Sequence, residues 1–285
     1  MLTSAKLVGG TALNFETIIY EERNNVAWIT LNRPDVLNAF NRQMQIELRE
    51  TWRALRENDD VNAVVVAAAG EKAFCTGIDR TETMGDEVPP ASGKTVGSPS
   101  ATPFMFDDPG KNIGPRSNDF WKPVIAAVHG MACGGAFYIL GEVDIIVASE
   151  DATFFDPHVT YGMTSSFESM HMLQKMPLGE VLRMQLLGNY ERMSAQRAHQ
   201  IGMVSEVVPR EQLLEAAGWV AETIAKQPAL AIQGTLRAIW AAQELSRTQA
   251  LEQGYAFIKM GTSDESIREG QKAFSSGERP KWRLR

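Results

Sequence analysis

Two glycine-containing segments have the composition needed to bind a developing negative charge. AFCTGIDR covers residues 73–80, and HGMACGGAFYILGEVD covers residues 129–144. Each follows an apolar run typical of a β-strand, and the second also leads into a helical pattern. Glycines at such a junction allow backbone N–H groups to point into a cleft and bind an anion or oxyanion. Two such donors facing each other would form an oxyanion hole, whereas either segment alone more often reflects tight strand-to-helix packing.

The composition of the chain is typical of a soluble globular protein. Its 285 residues are 44% hydrophobic and 22% charged. The formal charge of −7 is unfavourable for nucleic acid or an anionic membrane, so neither partner is expected. The two cysteines, Cys75 and Cys133, cannot make a disulfide framework or a metal site and favour a reducing, cytoplasmic location. With four histidines and no paired ligand spacing, we predict no catalytic metal.

The elements that must position these segments can be predicted from hydrophobic patterning. Three continuous apolar runs, VNAVVVAAAG, PVIAAVHG and EVDIIVAS, predict strands that are covered on both faces. Helical stretches between them predict an α/β fold of repeated β and α units. FETIIYEERNNVAWITLNRP predicts a β-hairpin around ERNN. We expect a flexible extension over residues 1–14, a core over residues 15–208 and a helical region over residues 209–285.

A long segment between residues 80 and 119 interrupts this core. It is rich in Pro, Gly, Ser and Thr, as in DEVPPASGKTVGSPSATPF, and it has no hydrophobic period. Loops of this length inside compact domains are often lids or binding loops, and surface disorder is the alternative. We therefore predict an insertion that could act as a lid.

The order and spacing of several motifs resemble the crotonase superfamily, also called the enoyl-CoA hydratase/isomerase family. LNRPDVLNAF at residues 31–40 is followed by KAFCTGIDR at 72–80 and by AAVHGMACGGAFYILGEVDIIVAS at 126–149. The resemblance continues through ATFFDPHVTYGM to EGQKAFSSGERPKW, which extends it over nearly all of residues 15–285. It implies a crotonase-like spiral of β-β-α units with a C-terminal helical trimerisation region. It also implies assembly as a homotrimer or a dimer of trimers.

The same resemblance implies an acyl-CoA or enoyl-CoA substrate, with coenzyme A as part of the substrate and no permanently bound cofactor. The two oxyanion donors fall on the N–H groups of Ile78 and Gly135, and Ile78 also borders the CoA site. The adenine pocket falls on the backbone of Ala39 and Thr76. Lys72 stands at the position of a family lysine that approaches CoA phosphates, with a solvated loop charge as the alternative reading.

The acid and base positions depart from a family hydratase. Such hydratases place one glutamate after the glycine pair and one after the FxxP turn, where this chain has Tyr138 and His158. Histidine, with an ordinary pKa of about 6.5, can take or give a proton at neutral pH, whereas tyrosine, at about 10, acts as a hydrogen-bond donor. We therefore predict His158 as the acid/base group, assisted by Tyr138. The two-glutamate hydration cannot operate unchanged.

Three other side chains near these positions are open to different interpretations. Asp156 lies two residues before His158 and would point to the opposite side of an extended segment, so we predict no direct pairing. Glu168 is a further catalytic candidate that could supply the missing carboxylate, with interaction with a helix dipole as the alternative. Tyr255 matches a region from which some relatives bring a tyrosine to the site, and packing in the core or an interface is the alternative.

The leading hypothesis is a lyase or isomerase of this family, acting in fatty-acid or other lipid metabolism. It would act on an acyl-CoA thioester through an enolate that the oxyanion donors stabilise. One alternative is a hydrolase that cleaves a carbon–carbon bond of a β-dicarbonyl or oxo-acyl-CoA compound and releases a carboxylic acid. The other is a non-catalytic acyl-CoA-binding protein, which would show no proton exchange at the α-carbon.

Overall fold

A computed structural model describes residues 6–8, 11–83, 110–277 and 281–284. The strands are Lys6–Val8 (β1), Thr11–Leu13 (β2), Ile18–Arg23 (β3), Val26–Leu31 (β4), Ala63–Ala68 (β5), Ala73–Cys75 (β6), Val124–Val128 (β7), Met131–Cys133 (β8), Ile145–Ser149 (β9), Thr153–Phe155 (β10), Met193–Ser194 (β11) and Glu206–Val208 (β12). The helices are Arg42–Arg56 (α1), Arg80–Thr83 (α2), Gly110–Ile113 (α3), Ala136–Glu142 (α4), Phe167–Leu173 (α5), Leu178–Leu187 (α6), Ala195–Gln200 (α7), Leu213–Ala225 (α8), Ala229–Glu244 (α9), Arg247–Gly261 (α10) and Asp264–Ser275 (α11).

A six-stranded sheet in the order β12-β9-β7-β5-β4-β3 forms the larger layer of the core. The three apolar runs form β5, β7 and β9, which confirms the prediction of buried parallel strands. Side chains of β5 alternate between two hydrophobic clusters. Val64 and Val66 pack with Trp52 of α1 on one face, while Val65 packs with Ala217 of α8 on the other. The α/β fold is therefore built around a sheet that is covered on both sides.

The predicted hairpin is also confirmed, and a tight turn fixes its register. β3 and β4 pair antiparallel, from Ile18 opposite Leu31 at one end to Arg23 opposite Val26 at the turn. The two residues between the strands, Asn24 and Asn25, have φ of 54° and 59°. Two-residue hairpin loops of this kind need left-handed backbone at both positions, which asparagine tolerates better than most residues.

A second, four-stranded sheet in the order β11-β10-β8-β6 carries the loops of interest. β6, β8 and β10 run parallel, so their carboxyl ends lie along one edge of this sheet. Each of these three strands is only three residues long. The loops that follow them contain both glycine segments and the Asp-Pro-His turn, which brings these segments together.

The predicted N-terminal extension and the predicted insertion both contain regular secondary structure in the parts that the structure describes. β1 and β2 pair as a small antiparallel sheet within the segment predicted as a flexible extension. The insertion begins with helix α2 and ends with helix α3 and a 3-10 turn, Arg116–Asn118. Residues 84–109, which make up most of the predicted lid, lie outside the described residues.

The C-terminal region is helical, as predicted, and its helices differ in how they meet the core. α8 packs on the six-stranded sheet through buried alanines. α9 buries none of its residues. Trp240 of α9 donates from Nε1 to Asp144 Oδ1 at 2.7 Å, and the Arg116 guanidinium lies 5.2 Å from its ring centroid. Polar and cation–π contacts therefore contribute to joining α9 to the core.

Candidate active site

A cavity of about 590 Å³ lies at the edge where β6, β8 and β10 end. Parallel strands place their carboxyl-terminal loops side by side, which is the usual location of ligand sites in such sheets. Six of the residues predicted from the sequence line this cavity, namely Thr76, Ile78, Gly135, Tyr138, His158 and Glu168.

The two glycine loops approach each other closely enough to exclude any side chain. Gly77 has φ of 88°, and a Cβ atom there would lie 2.7 Å from the backbone nitrogen of Gly135. A Cβ atom at Gly135 would lie 2.8 Å from the ring of Phe40. Only glycine combines this backbone conformation with this close approach. The close approach of the two loops brings Ile78 and Gly135 to the same cavity wall.

A short β-bridge orients the first of these loops. Phe40 donates its N–H to Gly77 O at 2.8 Å and accepts from the N–H of Asp79 at 2.9 Å. The N–H of Ile78 stands between these two bonds and takes no part in them. Within residues 11–83 and 110–277, neither Ile78 nor Gly135 donates its backbone N–H to a protein acceptor. Two donors without protein partners at one cavity wall are what the predicted oxyanion hole requires, and the assignment of Ile78 and Gly135 to it stays a prediction.

The prediction that Asp156 does not pair with His158 is wrong. Asp156 Oδ1 lies 2.6 Å from His158 Nδ1 and also accepts the backbone N–H of His158 at 2.9 Å. Ser165 donates from Oγ to the other carboxylate oxygen at 3.1 Å. Asp156 is completely buried. The histidine ring is therefore held by a buried carboxylate that is itself fixed by two further hydrogen bonds.

The reason for this pairing is a turn where an extended segment had been assumed. Pro157 has φ of −86° and ψ of −7°, and a 3-10 turn follows over His158–Tyr161. The turn brings the side chain of Asp156 back over the chain that follows it. An Asp-Pro dipeptide commonly starts such turns, because the aspartate side chain accepts from the backbone two residues on. That dipeptide was the sequence signal that could have predicted the pair.

The hydrogen bond to Asp156 raises the pKa of His158 above its ordinary value, and burial opposes this shift without reversing it. Because Nδ1 faces the carboxylate, the neutral ring carries its proton there and leaves Nε2 as the basic atom. Nε2 lies 3.5 Å from Oε1 of Glu168. The basic nitrogen therefore points toward the second ionisable group of the cavity.

Glu168 enters the cavity from α5, so it supplies a carboxylate as the sequence had allowed. It is buried, and burial raises its pKa above the ordinary value. Tyr138 forms a side-chain hydrogen bond with it, and the ring of Tyr138 packs edge-on to Phe40 at 6.5 Å. The tyrosine thus orients the carboxylate, which is consistent with the predicted supporting role of Tyr138.

Three predicted residues lie outside this cavity. Ala39 is buried, and its carbonyl accepts from Arg33 Nη1 at 2.6 Å. Lys72 is exposed at a neighbouring surface depression that also includes Asp35. Tyr255 is 83% exposed in the single chain, so packing in its own core is excluded. The assignment of Ala39, Thr76 and Lys72 to a CoA site stays a prediction.

Neither a metal centre nor a membrane span emerges from the described part of the chain. No group of three or more His, Cys, Asp or Glu side chains there is arranged to hold a metal ion. No helix within those residues is long and apolar enough to cross a membrane.

Comparison with known proteins identifies the family of this chain. The model of the Enoyl-CoA hydratase/isomerase family matches residues 21–285. The chain belongs to this family. Family members with similar sequences include (E)-benzylidenesuccinyl-CoA hydratase of Thauera aromatica, at 32% identity over 93% of this chain and 98% of that protein. Short-chain-enoyl-CoA hydratase of Clostridium acetobutylicum is 31% identical over 80% of this chain and 82% of that protein.

The fold of an enoyl-CoA hydratase/isomerase is confirmed by solved structures. A crystal structure of an enoyl-CoA hydratase/isomerase from Mycobacterium paratuberculosis superimposes with a TM-score of 0.79 at 35% identity. That match covers 95% of this chain and 99% of the other. The predicted crotonase-like architecture is therefore correct.

The Asp156–His158 pair leads to a prediction for how kcat/KM of this chain depends on pH. A base must be neutral, so we expect kcat/KM to rise with pH through the raised pKa of His158. Asp156→Asn removes the hydrogen-bonding charge, which should lower that pKa and move the rise to lower pH. Ser165→Ala keeps the charge and should shift the profile less. The measurements are pH–rate profiles and NMR titration of His158; an unchanged profile in Asp156→Asn would contradict the assignment.

The same pair should affect stability, with a sign set by the raised pKa. A histidine with a raised folded-state pKa contributes stability that is fully present below its unfolded value of about 6.5. This contribution is lost as the pH rises through the folded-state pKa of His158. We expect Asp156→Asn to lose more thermal stability at pH 5 than at pH 9, measured by melting temperature across that range.

Proposed function

We propose that this chain catalyses reactions of an acyl-CoA thioester through an enolate, and that addition or removal of water at an enoyl-CoA is the reaction the site supports best. One observation carries the proposal. The basic Nε2 of His158 and the carboxylate of Glu168 lie 3.5 Å apart in the cavity that also contains the N–H groups of Ile78 and Gly135. Coenzyme A enters as part of the substrate, and no permanently bound cofactor is needed.

Each group has a defined role in this proposal. The thioester carbonyl oxygen accepts from the N–H groups of Ile78 and Gly135, which stabilise the charge that develops on it. His158 Nε2 takes a proton from, or gives one to, the reacting carbon or water. The buried carboxylate of Asp156 stabilises the imidazolium that results. Glu168 holds the attacking water against His158, and this pair replaces the two glutamates of the family hydratases.

A second candidate is hydrolysis of a carbon–carbon bond in a β-dicarbonyl or oxo-acyl-CoA compound. The Asp156–His158 pair favours it, because a histidine backed by a carboxylate is well suited to activating water for attack on a carbonyl. The oxyanion donors would then hold the enolate that leaves. The two candidates differ in product, since only the hydrolase releases a free carboxylic acid.

The experiment incubates the purified chain with acyl-, enoyl- and 3-oxoacyl-CoA esters in deuterated water. Deuterium uptake at the α-carbon or turnover would support an enolate-forming enzyme. Product mass separates hydration, isomerisation and hydrolysis. Binding across a broad panel without exchange or turnover would instead indicate a non-catalytic acyl-CoA-binding protein and would overturn the proposal.

We also propose that the chain functions in a reducing compartment such as the cytoplasm, because its two cysteines are both buried free thiols.

We further propose assembly as a homotrimer or a dimer of trimers. The C-terminal helices expose a group of large apolar side chains in the single chain, namely Leu230, Ile239, Leu251, Tyr255 and Ile258. Exposed apolar patches of this kind mark interaction surfaces. We expect Ile258→Asp to lower the molar mass measured by analytical ultracentrifugation toward that of the monomer. Gln253→Asp should leave this mass unchanged. A monomeric native chain would contradict the proposed assembly.

A further inference from the structure

The cavity contains two arginines that the acid/base chemistry does not use. Arg192 is exposed and immediately precedes β11, with its guanidinium carbon 4.3 Å from the ring centroid of Phe155. Arg80 follows the first oxyanion loop, and its guanidinium carbon lies 5.0 Å from the ring centroid of Tyr161. Both arginines line the same cavity as His158. The walls around them are largely aromatic and apolar.

Arg192 differs from other arginines nearby in having no protein counterion. Arg183 pairs with Glu191, and Arg197 pairs with Glu180. Among the described side chains, no carboxylate lies within 4.0 Å of the Arg192 guanidinium. The ring of Phe155 positions this exposed guanidinium at the cavity, where an anionic ligand would meet a positive charge that no protein carboxylate neutralises. Its planar set of donors suits a carboxylate.

The strand order indicates which end of the substrate Arg192 meets. In the sheet β11-β10-β8-β6, the oxyanion loops follow β6 and β8, and Thr76 of the predicted adenine pocket also follows β6. Arg192 lies at the opposite edge, beside the end of β10. Neighbouring strands are about 4.8 Å apart, so three spacings separate Arg192 from the β6 edge by roughly 14 Å. Arg192 is therefore placed toward the acyl group rather than toward the CoA phosphates.

We propose that Arg192, with Arg80 as a second cation of the cavity, binds a carboxylate on the acyl group, so that the substrate is the CoA thioester of a dicarboxylic acid. This inference rests on the proposed thioester chemistry and adds its substrate class. A charge-assisted hydrogen bond contributes about 1.5–3 kcal/mol, equivalent to roughly a 10–100-fold preference. We expect that preference in kcat/KM for a carboxylate-bearing acyl chain over its neutral analogue.

The test compares two substrates that differ in the terminal group, 2-pentenedioyl and 2-pentenoyl thioesters. Each acyl chain is attached both to coenzyme A and to N-acetylcysteamine, a carrier without phosphates. The readout is kcat/KM for turnover or for deuterium exchange. We expect the native chain to prefer the carboxylate by about 10–100-fold on both carriers. Equal rates for the two acyl chains on both carriers would overturn the inference.

Variants then assign the preference to Arg192. Arg192→Gln should reduce the ratio of the two kcat/KM values to near one, and Arg192→Lys should keep part of it. Arg183→Gln is the matched control, because it removes a nearby arginine that pairs with Glu191 outside the cavity; it should keep the native ratio. A native ratio in a folded Arg192→Gln protein would also overturn the inference. If Arg192→Gln does not fold, the comparison in the native chain and Arg192→Lys still decide.

The carriers separate the two possible sources of the anion. If Arg192→Gln weakens CoA esters equally for both acyl chains and leaves N-acetylcysteamine esters unaffected, Arg192 binds a CoA phosphate and the inference is wrong. Failure of the inference leaves exchange with the neutral thioester intact. Failure of the proposed function, by contrast, removes exchange and turnover for every thioester of the panel.

Discussion

A His158→Ala protein is expected to turn over its thioester substrate about a hundredfold or more slowly than the native chain. The loss should fall on kcat, because Nε2 acts on the proton that moves and does not hold the CoA carrier. The hydrogen bond with Tyr138 holds the neighbouring Glu168 in place, so we do not expect this carboxylate to restore the native rate. The measurements are steady-state kinetics and, in parallel, the affinity for a saturated acyl-CoA by calorimetry.

The matched control for this variant is His199→Ala. His199 is on α7, donates from Nδ1 to Val204 O at 3.0 Å and does not line the cavity. It should change the melting temperature without changing kcat. If His158→Ala loses affinity and turnover by the same factor, His158 has a structural role and the acid/base assignment is wrong.

The second large effect is expected from removing a backbone donor. Gly135→Pro deletes the N–H that faces the cavity and should lower kcat by about 10²–10³-fold, the usual loss for one oxyanion donor. The backbone at Gly135, with φ of −60°, already suits proline. A loss of activity would therefore follow from the missing donor rather than from a changed backbone angle.

Gly135→Ala is the control that isolates the donor. Both variants place a Cβ atom near the ring of Phe40, where the distance would be 2.8 Å, but only alanine keeps the N–H. The ratio of the two activities therefore measures the donor, provided that both proteins show folded circular dichroism spectra. Equal activity of the two folded variants would falsify the oxyanion assignment.

The larger sheet could be predicted from sequence because burial on both faces leaves a direct signal. β5, β7 and β9 are continuous apolar runs, and such runs predict parallel strands with little ambiguity. The four-stranded sheet leaves no such signal. β6, β8 and β10 are three residues each, which is too short for any period to be recognised. Their positions came from the resemblance of the glycine motifs.

The sequence indicated the parts of the site that depend on the glycine loops. It was misleading for the Asp156–His158 pair, which depends on a turn. Gly77 and Gly135 are required by the close approach of two loops, so the motif itself indicates the geometry. The pairing of Asp156 with His158 depends on the helical backbone conformation of Pro157. Assuming an extended chain there led to the opposite prediction, that the two side chains do not pair. The position of Glu168 depends on how α5 packs against α4, a tertiary contact that residue types alone do not specify.

The strand order of the larger sheet has a consequence for synthesis of the chain. From β3 to β12 the strands lie in the sheet in the order in which they leave the ribosome. The hairpin β3–β4 makes local contacts and can form first, and each later strand finds its partner already at the edge. A chain stalled after β9 would have the first five strands of this sheet but neither β12, Asp156 nor His158. Its newest strand, β9, would pair with β7 on one side and leave its other side open, the feature that most favours association between nascent chains.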